Sequence, residues 1–289
     1  MKNKLSTKRP QVKLFIIGII TICLNSMYAQ PNPKYGIMSF NKAINISEKQ
    51  GMLLQKMAKD YLYMVENSDD NKASINLMTS KIIFEKQNEI LSRNTTSKLT
   101  KNNILKVQNL WIEFKKLIES NPNFDNAKKI LNLNTDLLKA TENIVHSIAI
   151  ESRNADNSLT TNLEEKENYK EKNIALKKII AISGRQRMLA QRLALYYLAN
   201  HPTLKDKNSE QILKNIYFEI DGTNTPLLLS DFDNIELDQK IAAALTIWEL
   251  IKKDKLTSQG YTHKEIYNIS NKLTRAYNEI TTLYEHTKL

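Results

Sequence analysis

The residues best suited to chemistry lie in one short segment, ISGRQRMLAQRLALYYL at 182–198. It holds Gly184, Arg185, Arg187, Gln191 and Arg192, and no Asp or Glu occurs from Asn173 to Tyr197. On a helix, Arg185 and Arg192 share a face, and Arg187 and Gln191 form an i,i+4 pair on a neighbouring one. A planar guanidinium donates paired hydrogen bonds that suit a small oxyanion such as nitrate or a carboxylate. Gly184, with no side chain, lets a ligand or another backbone come close. The competing reading is that these arginines pair with acids on adjacent helices, the common fate of helical charges, in which case they carry little functional information.

Other constellations are weaker. His146, His201, His263 and His286 lie far apart among ordinary polar residues, so solvated histidines are expected rather than a metal site. Asp69, Asp70, Asp231 and Asp233 fall at expected helix ends or loops, where acids cap helices, and have no calcium-loop spacing. Phosphate-loop, nucleophile-elbow and zinc signatures are missing from the sequence, so the expectation is a non-enzyme without a cofactor.

The elements that must position the arginines are helices. After Pro33 only five Gly and three Pro remain, too little punctuation for a β sandwich. Apolar residues recur at three and four positions, as in Ile182, Leu189, Leu193, Tyr196 and Tyr197. The chain also repeats itself. Residues 46–62 (ISEKQGMLLQKMAKDYL) match 182–198 at nine of seventeen positions with an offset of 136. IIFE at 82–85 answers IYFE at 216–219, Trp111 answers Trp248, and ILNLNTDLLKATENI from Ile130 answers IYNISNKLTRAYNEI from Ile266. The two tryptophans read as core anchors of the third helix in each copy. The fold class is therefore all-α, two tandem up-down four-helix-bundle units, repeat 1 at 36–153 and repeat 2 at 165–289, with a polar linker at 154–164. Helices are predicted at 37–66, 71–93, 98–120, 125–153, 165–200, 207–221, 235–254 and 261–287.

The first 29 residues have the layout of a secretory signal: a basic stretch, the apolar run Leu14–Leu24, and Asn25–Ala29 ending in a small residue. Eleven apolar residues span about 16 Å as a helix, short of the ~30 Å hydrocarbon core. A cleaved signal peptide and an exported protein, periplasmic or at the cell surface, are expected. The alternative is anchorage to the inner membrane through residues 14–24. Without residues 1–29 the formal charge falls from +11 to 37 − 31 = +6, with the signs interleaved as on solvated helix faces, which argues against a nucleic-acid partner. Cys23 is the only cysteine, so a mature chain has neither a disulfide nor a thiolate metal site.

The segment around Arg187 resembles the conserved box of the type IV pili methyl-accepting chemotaxis transducer N-terminal domain, the PilJ/NarX-like sensor domain, which reads approximately AGRQRMLSQR. The matching positions are Ser183, Gly184, Arg185, Gln186, Arg187, Met188, Leu189, Gln191 and Arg192. That resemblance implies an extracytoplasmic helical sensor domain. It also implies that the arginine before the box methionine, here Arg187, contacts a nitrate- or nitrite-like anion at a dimer interface, formed by a homodimer or by an internal pseudo-dimer of the two copies. The first copy departs from the pattern, with Glu48 in place of the glycine and Gly51 in place of the arginine, so a pseudo-dimer would hold one such arginine instead of two. The expected function is a sensor-like domain that binds a small anion or polar ligand and acts through a separate membrane signalling protein. The rival is a structural or adaptor helical bundle of the envelope or pilus system.

Overall fold

The computed structural model describes residues 33–158, 164–200, 202–204, 206, 208–232, 234–254 and 260–289. The expected signal peptide, its apolar run, His201 and Asp233 lie outside these residues. Lys34–Leu289 forms one compact unit. A two-residue hairpin, β1 (Lys34–Tyr35) and β2 (Met38–Ser39), precedes eight helices: α1 (Phe40–Glu66), α2 (Asn71–Asn94), α3 (Lys98–Ile118), α4 (Phe124–Ser158), α5 (Glu164–Ala199), α6 (Ser209–Leu228), α7 (Ile235–Asp254) and α8 (His263–His286). Among the described residues the structure is all-α apart from that hairpin.

Helix starts follow local chemistry. The Ser39, Asp70 and Ser97 side chains accept from backbone N–H groups in the first turns of α1, α2 and α3. Thr262 and Glu265 form a capping box on α8. Two boundaries depart from the sequence pattern. Helix α6 continues to Leu228, past Gly222 and through Pro226, because a proline in the last turn sacrifices only one hydrogen bond. Helix α4 runs on to Ser158, so 154–158 of the expected linker is helical, α5 opens at Glu164, and 159–163 lies outside the described residues. Asp156 accepts from Lys177 Nζ at 2.7 Å and Asn173 Nδ2 at 3.3 Å, which ties this extension to α5 and explains why a polar stretch stays helical.

Helix α1 lies between α2 and α4 of its own half, and α5 between α6 and α8 of its own half. The most extensive packing in the molecule joins α1 to α5. Across that seam Glu48 meets Gly184 and Gln55 meets Arg192, pairs whose numbers rise together, so the two helices run in the same direction with repeat-related positions side by side. Being enclosed on several sides, α1 is buried from Gln50 to Met64 except at Lys56, and α5 is buried from Ser183 to Ala199 except at Arg185, Arg192 and Tyr197. A helix buried nearly all round cannot show a single apolar stripe.

Candidate functional site

The five candidate residues all lie on α5, but they face different surroundings. Arg185 is half-exposed and ion-paired with Glu142 of α4 at 2.6 Å and with Glu219 of α6. Burial opposes its charge, yet these two carboxylates hold its pKa above the ordinary arginine value. Arg185 is therefore a strut between helices, as the competing reading of its charge expects.

Gln191 is fully buried and donates to Thr274 Oγ1 (2.7 Å), Asn271 Oδ1 (3.1 Å) and the Ser270 carbonyl (3.5 Å) of α8. Its repeat counterpart Gln55 exchanges two hydrogen bonds with Asn134 of α4, at 2.9 and 3.0 Å. The other shared glutamines behave alike: Gln186 reaches Asn224, Thr223 and the Ile220 carbonyl of α6, and Gln50 reaches Gln87 of α2. The glutamines common to both copies thus fasten the first helix of each half to its second and fourth. Arg192 donates to Gln55 Oε1 across the seam at 3.3 Å and stacks over the Tyr196 ring at 4.8 Å.

Arg187 is different. It is 1% exposed and has no ion pair among the described residues. Its Nη2 donates to Asn45 Oδ1 (2.7 Å) and the Asn45 carbonyl (3.3 Å) of α1, its Nη1 to Asn278 Oδ1 of α8 (3.0 Å), and its Nε to the Gly184 carbonyl (3.5 Å). Burial pulls its pKa down to about 10, opposed by Glu48 and Glu285 nearby, so it stays cationic at neutral pH. Glu48 feels the same burial: desolvation raises it to about 7 against the attraction of Arg185 and Arg187, with Glu142 adding to the rise.

Gly184 is required by this seam. A Cβ there would lie 2.7 Å from Glu48 Cβ and 3.1 Å from Arg187 Nη2. Its space is filled by the carboxylate residue that the other copy carries at the same place. At Gly51, where the second copy has Arg187, a Cβ would meet Leu138 Cδ1 at 3.2 Å and Met188 Cγ at 3.6 Å, so no arginine could occupy both halves without opening the seam. Beside Gly51 a cavity of about 10 Å³ remains, lined by Glu48, Arg185 and Met188 among others, no more than a water's room.

Sequence reasoning missed Asn45, Asn278 and Glu48 as neighbours of Arg187. Glu48 and Asn278 stand in repeat alignment with Gly184 and Glu142, so the duplication held a signal for them once the copies were stacked in register. It also missed the buried Lys59, which donates to Asn271 Oδ1 at 2.7 Å, lies over the Tyr267 ring, and is pulled down to about 7 by burial despite Asp60 beside it. Leu195 is its counterpart, which marks this cation as particular to the first copy. Among the described residues there is no cluster of three or more His, Cys, Asp or Glu that could hold a metal, and no helix long and apolar enough to cross a membrane.

Compared with known proteins, the chain matches no family model, no curated protein and no solved structure.

Proposed function

We propose that the chain is an exported, sensor-like helical protein that binds a small oxyanion or similar polar ligand at Arg187 and acts through a separate membrane signalling partner. The observation that carries this reading is the state of Arg187: a guanidinium buried between the two halves whose hydrogen bonds go to neutral amide and carbonyl oxygens only. Most buried charges are paired with an opposite charge. An anion that displaced the Asn45 and Asn278 side chains would supply that charge, and the seam between α1 and α5 is consistent with the internal pseudo-dimer that the resemblance implies. Because Arg187 is 1% exposed and hydrogen-bonded on all sides, binding must shift the two asparagines and with them the spacing of α1, α5 and α8, which is a route from ligand to partner. A carboxylate at Glu48 repels an anion, so binding is expected to strengthen as pH falls below about 7.

The test is thermal unfolding with millimolar nitrate, nitrite or acetate at pH 6 and pH 8. A ligand confined to the native state raises the melting temperature by mass action, and Arg187→Gln is expected to abolish the rise. If none of the three anions moves wild type at either pH, the chain reads instead as a structural or adaptor bundle. That second reading is favoured by the glutamine fastenings and the paired state of Arg185.

A further inference from the structure

Between α2 and α3 in the first half a crevice of about 380 Å³ opens, far from Arg187 in the helix order and within the size range of small-molecule sites. Its floor is apolar: Phe84, Val107 and Trp111 are buried, and the Phe84 and Trp111 rings lie 4.4 Å apart. Asn88 lines it, 6% exposed, with its Oδ1 taking Gln108 Nε2 at 3.1 Å and its Nδ2 without a hydrogen-bond partner. A buried amide group left unpaired costs about 1–3 kcal/mol, a cost that a ligand bonding to it removes. The rim acids are already neutralised: Glu85 accepts from Trp111 Nε1 (3.1 Å) and Lys115, and Glu89 pairs with Lys86 and Arg93.

The second half supplies an internal comparison. In the structure α2 and α6 correspond at an offset of 136, two residues on from the match of 82–85 with 216–219: Asp221, Trp248 and Lys252 repeat the Glu85, Trp111 and Lys115 arrangement, with Trp248 Nε1 donating to Asp221 at 3.2 Å. There the counterpart of Asn88, Asn224, is turned into the core, its Oδ1 taking Gln186 and Tyr277 from α5 and α8 while its own Nδ2 is likewise without a partner, so what sets the first half apart is the crevice beside Asn88 and not the unpaired amide group. The counterpart of Gln108 is Leu245, which has no polar group to draw the asparagine outward, and the counterpart of Tyr277 is Thr141, which bonds its own helix at the Leu138 carbonyl. The same asparagine serves the core in one copy and faces an aromatic-floored crevice in the other.

From this we infer that the α2–α3 crevice of the first half is a second binding site, for a small neutral molecule with a flat apolar or aromatic body and a carboxamide or carbonyl group. The body lies on Phe84, Val107 and Trp111, and the polar group pairs with the Asn88 carboxamide. A carboxylate gains nothing there, because the rim cations Lys115, Lys86 and Arg93 are already paired with Glu85 and Glu89 and the apolar floor would strip its hydration. Benzamide is the probe, titrated into the full chain while the two indole N–H signals are followed by ¹H–¹⁵N NMR. The Trp111 signal is expected to shift saturably and the Trp248 signal to stay in place, whereas ethylbenzene and benzoate bind at least about tenfold more weakly, the worth of one hydrogen bond to a buried group. Asn88→Leu is expected to weaken benzamide by the same factor, and Ser92→Phe at the rim to block it should the first variant fold poorly. Arg187→Gln leaves it unchanged, which separates this site from the anion site. A Trp111 signal that does not move up to the solubility limit of benzamide, or unaltered affinity in a folded Asn88→Leu or Ser92→Phe protein, overturns the assignment.

Discussion

Glu48 and Arg187 stand at repeat positions whose counterparts are both glycines, Gly184 and Gly51, and both side chains fill the space that Gly184 leaves open in the seam, while Leu138, Thr141 and Met188 close on Gly51. The charged residues are thus divided between the copies instead of being duplicated. The division has a measurable consequence in pH. Glu48 has a native pKa of about 7 against 4.5 when free, chiefly through desolvation, so the native chain holds a proton there that the unfolded chain has lost. This group's contribution to stability is fully present below pH 4.5 and lost as pH rises through 7. Glu48→Gln removes the titration, so the difference in urea unfolding free energy between pH 5 and pH 8 is expected to shift toward greater relative stability at pH 8 than in wild type. An unchanged difference between the two proteins would show that Glu48 is solvated in solution. Lys59 acts at higher pH with the opposite sign: its lowered pKa adds stability as pH rises from 7 toward 10.5, a contribution common to wild type and Glu48→Gln that cancels when the two proteins are compared.

At the level of elements, the approach of α1 to α5 rests on Gly184. Adding a single methyl there places carbon 2.7 Å from Glu48 Cβ, a backbone-attached atom that cannot swing away, so the helices must separate. Gly184→Ala is expected to lower unfolding free energy by about 1–3 kcal/mol despite the better helix propensity of alanine, because overpacking a fixed seam outweighs a propensity gain of about 1 kcal/mol. Combining it with Glu48→Gly, which exchanges the pair between the copies, is expected to recover part of the loss. A stabilised Gly184→Ala protein in chemical denaturation would show that the seam is looser than these distances. The glutamine fastenings belong to this scale as well. Each copy repeats them at the same offset, yet their partners differ, Asn134 in one half and Ser270, Asn271 and Thr274 in the other, because the fourth helices have diverged while the first helices have kept their polar residues.

For the molecule as a whole, the seam makes the halves interdependent. Leu53, Leu54, Met57 and Ala58 of α1 and Leu189, Ala190, Leu193 and Ala194 of α5 are buried in helices enclosed from both sides. A chain of residues 164–289 alone would expose the α5 face that now meets α1, an apolar surface that soluble monomers rarely leave open. It is expected to self-associate or to melt well below the full chain, as read by sedimentation and circular dichroism. A stable monomeric half would mean that the duplication is two independent bodies after all.

Much of this was legible in the sequence. The 3.6-residue period and scarcity of Gly and Pro determine an all-α chain, and the 136-residue offset determines which residues correspond, because both are properties of the order of residue types alone. The lack of acids along their helix singled out Arg185, Arg187 and Arg192 together, and the resemblance to the sensor box pointed to Arg187 among them. What only the tertiary structure decided is which of the candidate arginines meets a carboxylate: Arg185 does, through Glu142 and Glu219 on helices far away in sequence, and Arg187 does not. The same holds for Gly184, whose absent side chain makes room for Glu48 across the seam, and for Asn88, whose carboxamide faces a crevice while its counterpart is turned inward. Periodicity specifies the face a residue occupies on its own helix. The charge, volume and hydrogen-bonding groups that meet this face come from other helices, and those are set by packing.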